Sequence, residues 1–361
     1  MGLSMRDITR TFLSKENNLV NWIAATPAHF HFLNQKCDSW VGGGPAMHIA
    51  PRDPAALSID RTSRRAHAPA LLDRCALAML DAYGELSQPF KQRGLYRACR
   101  LIGRLLWKDR NATLVLGPDA RLSFPASDPY WNRMLLRSYD HEPEMARFLR
   151  QLAPIDYSFI DCGANIGYWS VFVASHNGGG KPVLAVEASA QTFALLETNT
   201  SPHADTIKTF HRAILDRSDV EVRLNDAAHE ARGIANGGDG SGSEAVQSIA
   251  IDDLIEQKGW WPRRLVVKLD VEGVEREALA GMERALANDA LVIYEDHGSD
   301  RSHALTRHLR EERGFDVHLL LDDRAIPIGN ASELDAFKLD HTKGYNLVAV
   351  RPGSQWTAIL R

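Results

Sequence analysis

Two periodicities divide this chain. From Pro69 to Tyr83 apolar residues recur at helical steps (Leu72, Cys75, Ala76, Met79, Tyr83), and Gly84 stands where such a helix can stop. Pro89 opens a second helix to about Trp107, with Leu95, Ala98, Ile102 and Leu105 on one face and Arg93, Arg97, Arg100, Arg104 and Lys108 on the other. Beyond Ala112 the period shortens. Residues 112–124 read as a hairpin turning at Gly117-Pro-Asp, and a helix from about Pro143 to Leu152 follows. Strands then alternate with helices. The strands fall at about 157–161, 183–187, 207–214, 264–270, 290–296, 315–321 and 345–351, and the helices at about 165–176, 190–199, 252–258, 273–287 and 300–313. This alternation predicts an α/β fold with a doubly wound, Rossmann-like, seven-stranded sheet. The last two strands follow one another without a crossover helix, so they form an antiparallel hairpin. Residues 220–224 and 246–251 predict an added hairpin around a Gly- and Ser-rich solvent loop, Gly233 to Gly242.

Residues 1–68 break this order. Pro27, Gly42-Gly-Gly-Pro45, Pro51 and Pro54 predict short elements and loops. The chain thus divides into an N-terminal extension, 1–110, mainly helical and partly irregular, and an α/β domain, 111–361. With 361 residues, 44% of them hydrophobic and 24% charged, it can bury a large core. A net charge of −4 argues against a nucleic-acid partner. Cys37, Cys75, Cys99 and Cys162 are scattered without a Cys-x-x-Cys pair, which fits reduced thiols and a cytoplasmic chain rather than a zinc or disulfide framework. His29 and His31 flank Phe30 but have no third ligand nearby, so no metal site is assigned. No run approaches about 18 consecutive apolar residues, so no membrane span is expected. Between Lys91 and Arg110 lie seven basic residues and one acid. Two readings fit this stripe: the solvated face of a packed helix, or a peripheral contact with an anionic membrane on its inner side.

The chemistry concentrates at three strand ends. Phe159-Ile-Asp-Cys-Gly-Ala-Asn-Ile-Gly167 runs from a strand through an acid and a glycine turn into a helix start, an arrangement that lets a nucleotide-like ligand approach backbone. Its Gly-x-x-x-Gly spacing leaves the three-glycine dinucleotide fingerprint incomplete. The next strand ends in Glu187, where a ribose-binding acid belongs. Val266-Val-Lys-Leu-Asp-Val-Glu-Gly-Val-Glu275 is a strand ending in carboxylates and turning at Gly273 into a helix. Taken in this order, with Val292-Ile-Tyr-Glu-Asp-His297 and Gly344-Tyr-Asn-Leu-Val-Ala-Val350, these motifs resemble the FkbM family of S-adenosylmethionine-dependent methyltransferases. The resemblance covers roughly residues 110 to 352.

That resemblance implies S-adenosyl-L-methionine as cofactor. Glu187 would accept the ribose hydroxyls, backbone N–H groups around Gly163 and Gly167 would meet the amino-acid end, and Asp161 would pair with its ammonium. Asn165, Ala188 and Ala213 are carried into the cofactor set by the same resemblance. It also implies O-methylation, commonly of sugar hydroxyls in polysaccharides, lipopolysaccharides or glycosylated natural products, hence a sugar-containing acceptor. Asp270, Glu272 and His297 stand just past strand ends and are the catalytic candidates, with His297 the base by intrinsic pKa and Lys268 a charge partner for the carboxylates. Trp131, Trp260 and Trp261 offer rings for a sugar or for packing. The fourth strand is followed by neither Asn-Pro-Pro-Tyr nor a Pro-Cys nucleophile, which disfavours methylation of amino groups or of C5 in nucleic acid. Two rivals remain: a nicotinamide enzyme acting on nucleotide sugars, which usually has a Tyr-x-x-x-Lys pair absent here, and a non-catalytic methyltransferase-like scaffold in a membrane-associated glycan-assembly complex.

Overall fold

The computed structural model describes residues 56–360 except 89–91, 93, 226–232, 235–243 and 262. The readings made for residues 1–55, for Arg93 and for most of the Gly233–Gly242 loop lie outside the described residues.

The central sheet has eight strands in the order β14-β13-β15-β12-β11-β5-β6-β7. They are β5 (Ser158–Cys162), β6 (Val183–Glu187), β7 (Ile207–His211), β11 (Leu265–Leu269), β12 (Leu291–His297), β13 (Asp316–Leu320), β14 (Ala325–Ile328) and β15 (Gly344–Val350). β7, β6, β5, β11 and β12 pair in parallel, while β15 lies antiparallel between β12 and β13. All seven predicted strands are present. The expected count of seven is corrected by β14, four residues that pair antiparallel with β13 across a tight turn. So short a segment, with Pro327 in it, carries no strand signal in sequence. The predicted strand 207–214 also divides: after His211 the chain leaves the sheet, and β8 (Ala213–Ile214) joins the added hairpin of β9 (Glu221–Leu224) and β10 (Glu244–Ile249) in a separate three-stranded sheet.

The described part of the extension holds strands as well as its two helices. β1 (Leu57–Asp60) and β2 (Arg65–His67) complete a four-stranded sheet with β3 (Asn111–Val115) and β4 (Arg121–Pro125), and β1 pairs in parallel with β3. The helices α1 (Leu71–Ser87) and α2 (Leu95–Leu106) pack beside it. α1 runs through Gly84 rather than stopping there. A Cβ at Gly84 would lie 2.8 Å from Ser138 Oγ, so this glycine serves a close crossing and not a cap. Leu105, expected on the packed face of α2, is 59% exposed, and Arg97, Arg100, Arg104 and Lys108 are exposed with it. The predicted helix 273–287 breaks into Glu275–Ala280 and Glu283–Ala287 at Gly281, where a Cβ would meet Leu215 O at 2.2 Å.

Both faces of the central sheet are covered, so its inner strands are apolar throughout and alternate between two cores. Phe159, Val266, Ile293 and Val348 join the core shared with the extension, while Ile160, Val267, Val292 and Leu347 join the opposite one. Period-two alternation then assigns the polar residues at the strand ends. Asp161, Lys268, Glu295 and Asn346 continue the face that the extension covers, and Asp296 continues the other.

Candidate active site

The strand order reverses direction around β5: β6 and β7 lie to one side, β11 and β12 to the other. The crevice beyond the carboxyl ends at such a switch point is where open α/β sheets take ligands. Asp161 stands there, fully buried. Ser170 Oγ donates to its Oδ2 at 2.6 Å, Lys268 Nζ lies 4.0 Å from its Oδ1, and that Oδ1 has no hydrogen-bond partner. Lys268 is buried in register with Asp161 and donates to Asp270 Oδ2 at 2.8 Å. Burial pulls the Lys268 ammonium toward neutrality, but Asp270, Asp161 and Glu142 around it win and hold it above its ordinary range. It is therefore the charge partner expected from sequence.

The turn that follows is shaped by positive φ at Gly163 (+75°), Asn165 (+50°) and Gly167 (+90°). A Cβ at Gly163 would fall 1.8 Å from the Asp270 carbonyl, so only glycine lets β5 and β11 meet here. The amides of Gly163 and Gly167 donate to Val186 O and Ala164 O. The Asn165 amide instead donates to Glu187 Oε2 at 2.9 Å, and the Ser189 amide to Glu187 Oε1 at 2.9 Å. Burial raises the Glu187 pKa, and these backbone donors partly offset it. The structure thus ties Asp161, Asn165, Glu187 and both glycines into one turn. Ala188 is half-buried and packs against the small core of Ala213, Leu224 and Val246.

A second group of acids adjoins this turn. Asp270 follows β11, and Glu295 projects from β12 on the same sheet face, with its carboxyl group against the Cα of Gly344. Burial, then Asp270 and Glu142, push Glu295 far above the usual carboxylate range. Glu142 was not singled out from sequence. It precedes helix α4 (Pro143–Leu152; α3 is the short Pro129–Asn132) with φ +41°, and its Oε2 is buried without a partner. Burial is the main cause that pushes it up to about 7, with Asp270 and Glu144 adding to it and Lys268 opposing. Its neighbour His141 lies 3.8 Å away (Nε2 to Oε1), stacks on Trp169 at 5.8 Å, and is held down to about 3 by burial and by Arg133 and Lys268. His141 is thus neutral at physiological pH. The sequence signal for Glu142 was slight: a carboxylate just before the proline that opens a helix.

The remaining candidates separate. Glu272 is exposed at φ +51°, and the backbone of Gly233 packs over its carbonyl. His297 is exposed at the end of β12. The Ser299 amide donates to its Nδ1 at 3.2 Å, and Ser299 Oγ lies 2.6 Å from the same atom. An amide can only donate, so in neutral His297 the proton resides on Nε2 and no ring nitrogen is open to accept another. Asp296 belongs to a buried cluster on the opposite face, bonded to Lys338 and, at 2.6 Å, to Thr306. Trp131 is buried in the extension's core. Trp260 and Trp261 precede β11, at the sheet edge away from the site, and each stacks with an arginine, Arg263 and Arg284 respectively.

Residues 161–317 match the family model described as the methyltransferase FkbM domain. The chain is 29% identical over 203 residues to the hexuronic acid methyltransferase AglP of Haloferax volcanii, spanning 55% of this chain and 79% of that protein. Among solved structures, the methyltransferase FkbM from Methylobacillus flagellatus KT is 14% identical with a TM-score of 0.36. That match covers 76% of this chain and 58% of the other. The O-methyltransferase from Bacillus cereus in complex with SAH is 13% identical with a TM-score of 0.33, covering 59% and 83% respectively. The glycine turn and the strand-end carboxylates fall within the residues that match the FkbM methyltransferase domain, and over this segment the chain is similar to that family.

Proposed function

We propose that this methyltransferase uses S-adenosylmethionine to methylate a hydroxyl of a sugar, within a glycan, a glycolipid or a glycosylated natural product. The observation that carries the reading is the adjacency of two acid groups on one sheet edge, Asp161 with Glu187 around the glycine turn and Glu142 with Asp270 and Glu295 beside it. The residues present fit the cofactor. The unpartnered buried Oδ1 atoms of Asp161 and Asn165 suit an ammonium. Each Glu187 oxygen accepts one amide and retains capacity for a ribose hydroxyl. When bound, the cofactor supplies a methyl group on a sulfonium, an electrophile that needs an oriented nucleophile in line with it.

The chain's part is to orient the acceptor hydroxyl and take its proton. Glu142 is the proton acceptor in this proposal. It titrates near neutrality and has a free buried oxygen, the two properties a carboxylate base needs. Asp270, held by Lys268, orients the hydroxyl. Similarity to the hexuronic acid methyltransferase of Haloferax volcanii supports a sugar acceptor. The exposed stripe Arg97, Arg100, Arg104 and Lys108 supports peripheral contact of this extension with an anionic membrane on its cytoplasmic side. No helix among the described residues is long and apolar enough to cross a membrane.

The test is direct. The purified chain is incubated with methyl-labelled S-adenosylmethionine and cell-derived glycans, and the products are separated. The expected result is label that withstands base and is recovered, after acid cleavage of the glycosidic bonds, on a methylated monosaccharide. Retention of NAD in place of S-adenosylmethionine would transfer the protein to the nucleotide-sugar oxidoreductases, and binding of neither would leave the scaffold reading.

A further inference from the structure

Arg133 lies between the extension and the site, in a one-turn segment after helix Pro129–Asn132. Its guanidinium carbon stands 4.4 Å from the Tyr130 ring centroid and 4.8 Å from that of Tyr139, so it is clamped between two aromatic faces. Its Nε donates to the Tyr130 carbonyl at 3.0 Å. That bond fixes the plane of the group and leaves the Nη1/Nη2 end without a partner among the described residues. The cations around it are different. Arg61 and Arg64 share Asp140, Arg137 takes Asp81, Arg110 takes Asp73 and Lys268 takes Asp270. A half-buried guanidinium without a carboxylate is costly to desolvate, and two ring faces offset only part of that cost.

Its position points toward the acids of the site. The Tyr130 ring lies 6.4 Å from the His141 ring, and His141 is the neighbour of Glu142. Arg133 is thus separated from the proposed proton acceptor by two side chains.

We infer that Arg133, held between Tyr130 and Tyr139, is an anion-recognition subsite that receives the carboxylate, sulfate or phosphate of an acidic sugar acceptor. The inference rests on the proposed sugar methylation and narrows its substrate class. A planar fork of donors, pre-set by stacking and by one backbone bond, suits bidentate binding of an oxyanion. The acidic group would bind at Arg133 while a hydroxyl of the same or the adjoining sugar reaches Glu142 and Asp270.

Calorimetric titration of the full chain, saturated with S-adenosylhomocysteine, tests this with three probes: a glucuronate-containing trisaccharide, its carboxyl-reduced form, and the reduced form bearing a sulfate ester. The acidic trisaccharide is expected to bind about ten- to a hundredfold more tightly than the reduced one, the range of charge-assisted hydrogen bonds. Recovery with the sulfate ester would show that the subsite reads charge, and failure to recover that it reads a planar carboxylate; both uphold it. Arg133→Gln should erase the preference at unchanged affinity for S-adenosylhomocysteine. Arg133→Lys, which keeps the charge but loses the fork, should retain part of it. Equal binding of acidic and reduced probes, binding of neither, or an undiminished preference in Arg133→Gln would overturn the inference. Absence of S-adenosylhomocysteine binding would instead count against the methyltransferase reading, since that measurement does not involve Arg133.

Discussion

Glu142 concentrates the chemistry of single residues in this protein. Burial pushes its carboxyl up to about 7 from a usual value of 4.5, so the folded state holds the proton more tightly than the unfolded chain does. Stability must then fall as pH rises from about 4.5 to about 7 and stay lowered above that. Glu142→Gln removes the penalty. It should leave stability unchanged near pH 4.5 and raise it by up to about 3 kcal/mol at pH 8, read by urea unfolding. The same variant should lose about 10²–10⁴-fold in turnover, together with the acid limb of the wild-type kcat/KM profile near pH 7. A variant that keeps that limb would return the base role to Asp270 or His297, and His297→Ala is the control, expected to be nearly fully active. Glu187 offers a second test. Glu187→Ala should weaken S-adenosylmethionine binding by about 1.5–3 kcal/mol, because a charged acceptor is lost and the Asn165 and Ser189 amides that shape the turn are left unpaired. Unchanged affinity in a folded variant would remove Glu187 from the cofactor site.

At the scale of elements, α2 departs most from its sequence pattern. Its buried side is narrow, Leu95, Cys99, Ile102 and Gly103, because Gly103 presses against the Ser127 carbonyl and Asn132. Leu105 and Tyr96 are left exposed beside Arg97, Arg100 and Arg104. Apolar and basic residues on one exposed face are what a membrane-surface helix presents. The chain should therefore sediment with vesicles containing anionic lipid at low salt, release as salt rises, and lose the binding in a triple Arg97→Glu, Arg100→Glu, Arg104→Glu variant. No sedimentation at low salt would leave only the packed helix with a solvated face.

On the scale of the whole molecule, the extension is built into the fold that carries the site. β1 pairs in parallel with β3, and Asp81 in α1 receives Arg137 Nε at 3.3 Å and the Ser138 amide at 2.8 Å, while inside the extension Asp73 receives Trp107 Nε1 at 3.1 Å and both Nη groups of Arg110 at 2.8 and 3.0 Å. The same core runs from Leu57 and Leu77 to Phe159 and Val348 beneath the catalytic edge. Truncation to 111–361 would expose that core, so the fragment should be insoluble or molten. Asp73→Ala in the full chain should cost about 1–3 kcal/mol, because the buried Trp107 Nε1 loses its acceptor. A soluble, cooperatively unfolding fragment would show instead that the extension is dispensable.

The strands that carry Asp161, Glu187, Asp270 and Glu295 were legible because each is a short apolar run closed by an acid and a glycine or helix start. Buried parallel strands have that signature whatever surrounds them. Gly163 was legible as a turn, but its reason, the Asp270 carbonyl at its back, joins residues from two different strands. The clamp on Arg133, the strained backbone and raised pKa of Glu142, and the tautomer that occupies His297 each depend on groups brought together from separate elements. β14 and the β1–β3 pairing depend on edges that a neighbouring strand must offer first. The sequence by itself determined the order of elements and the acids at their ends, since periodicity and turn chemistry are local. Only the tertiary structure decided which of those acids is buried, which is paired and which can take a proton, since desolvation and charge coupling act through space and not along the chain.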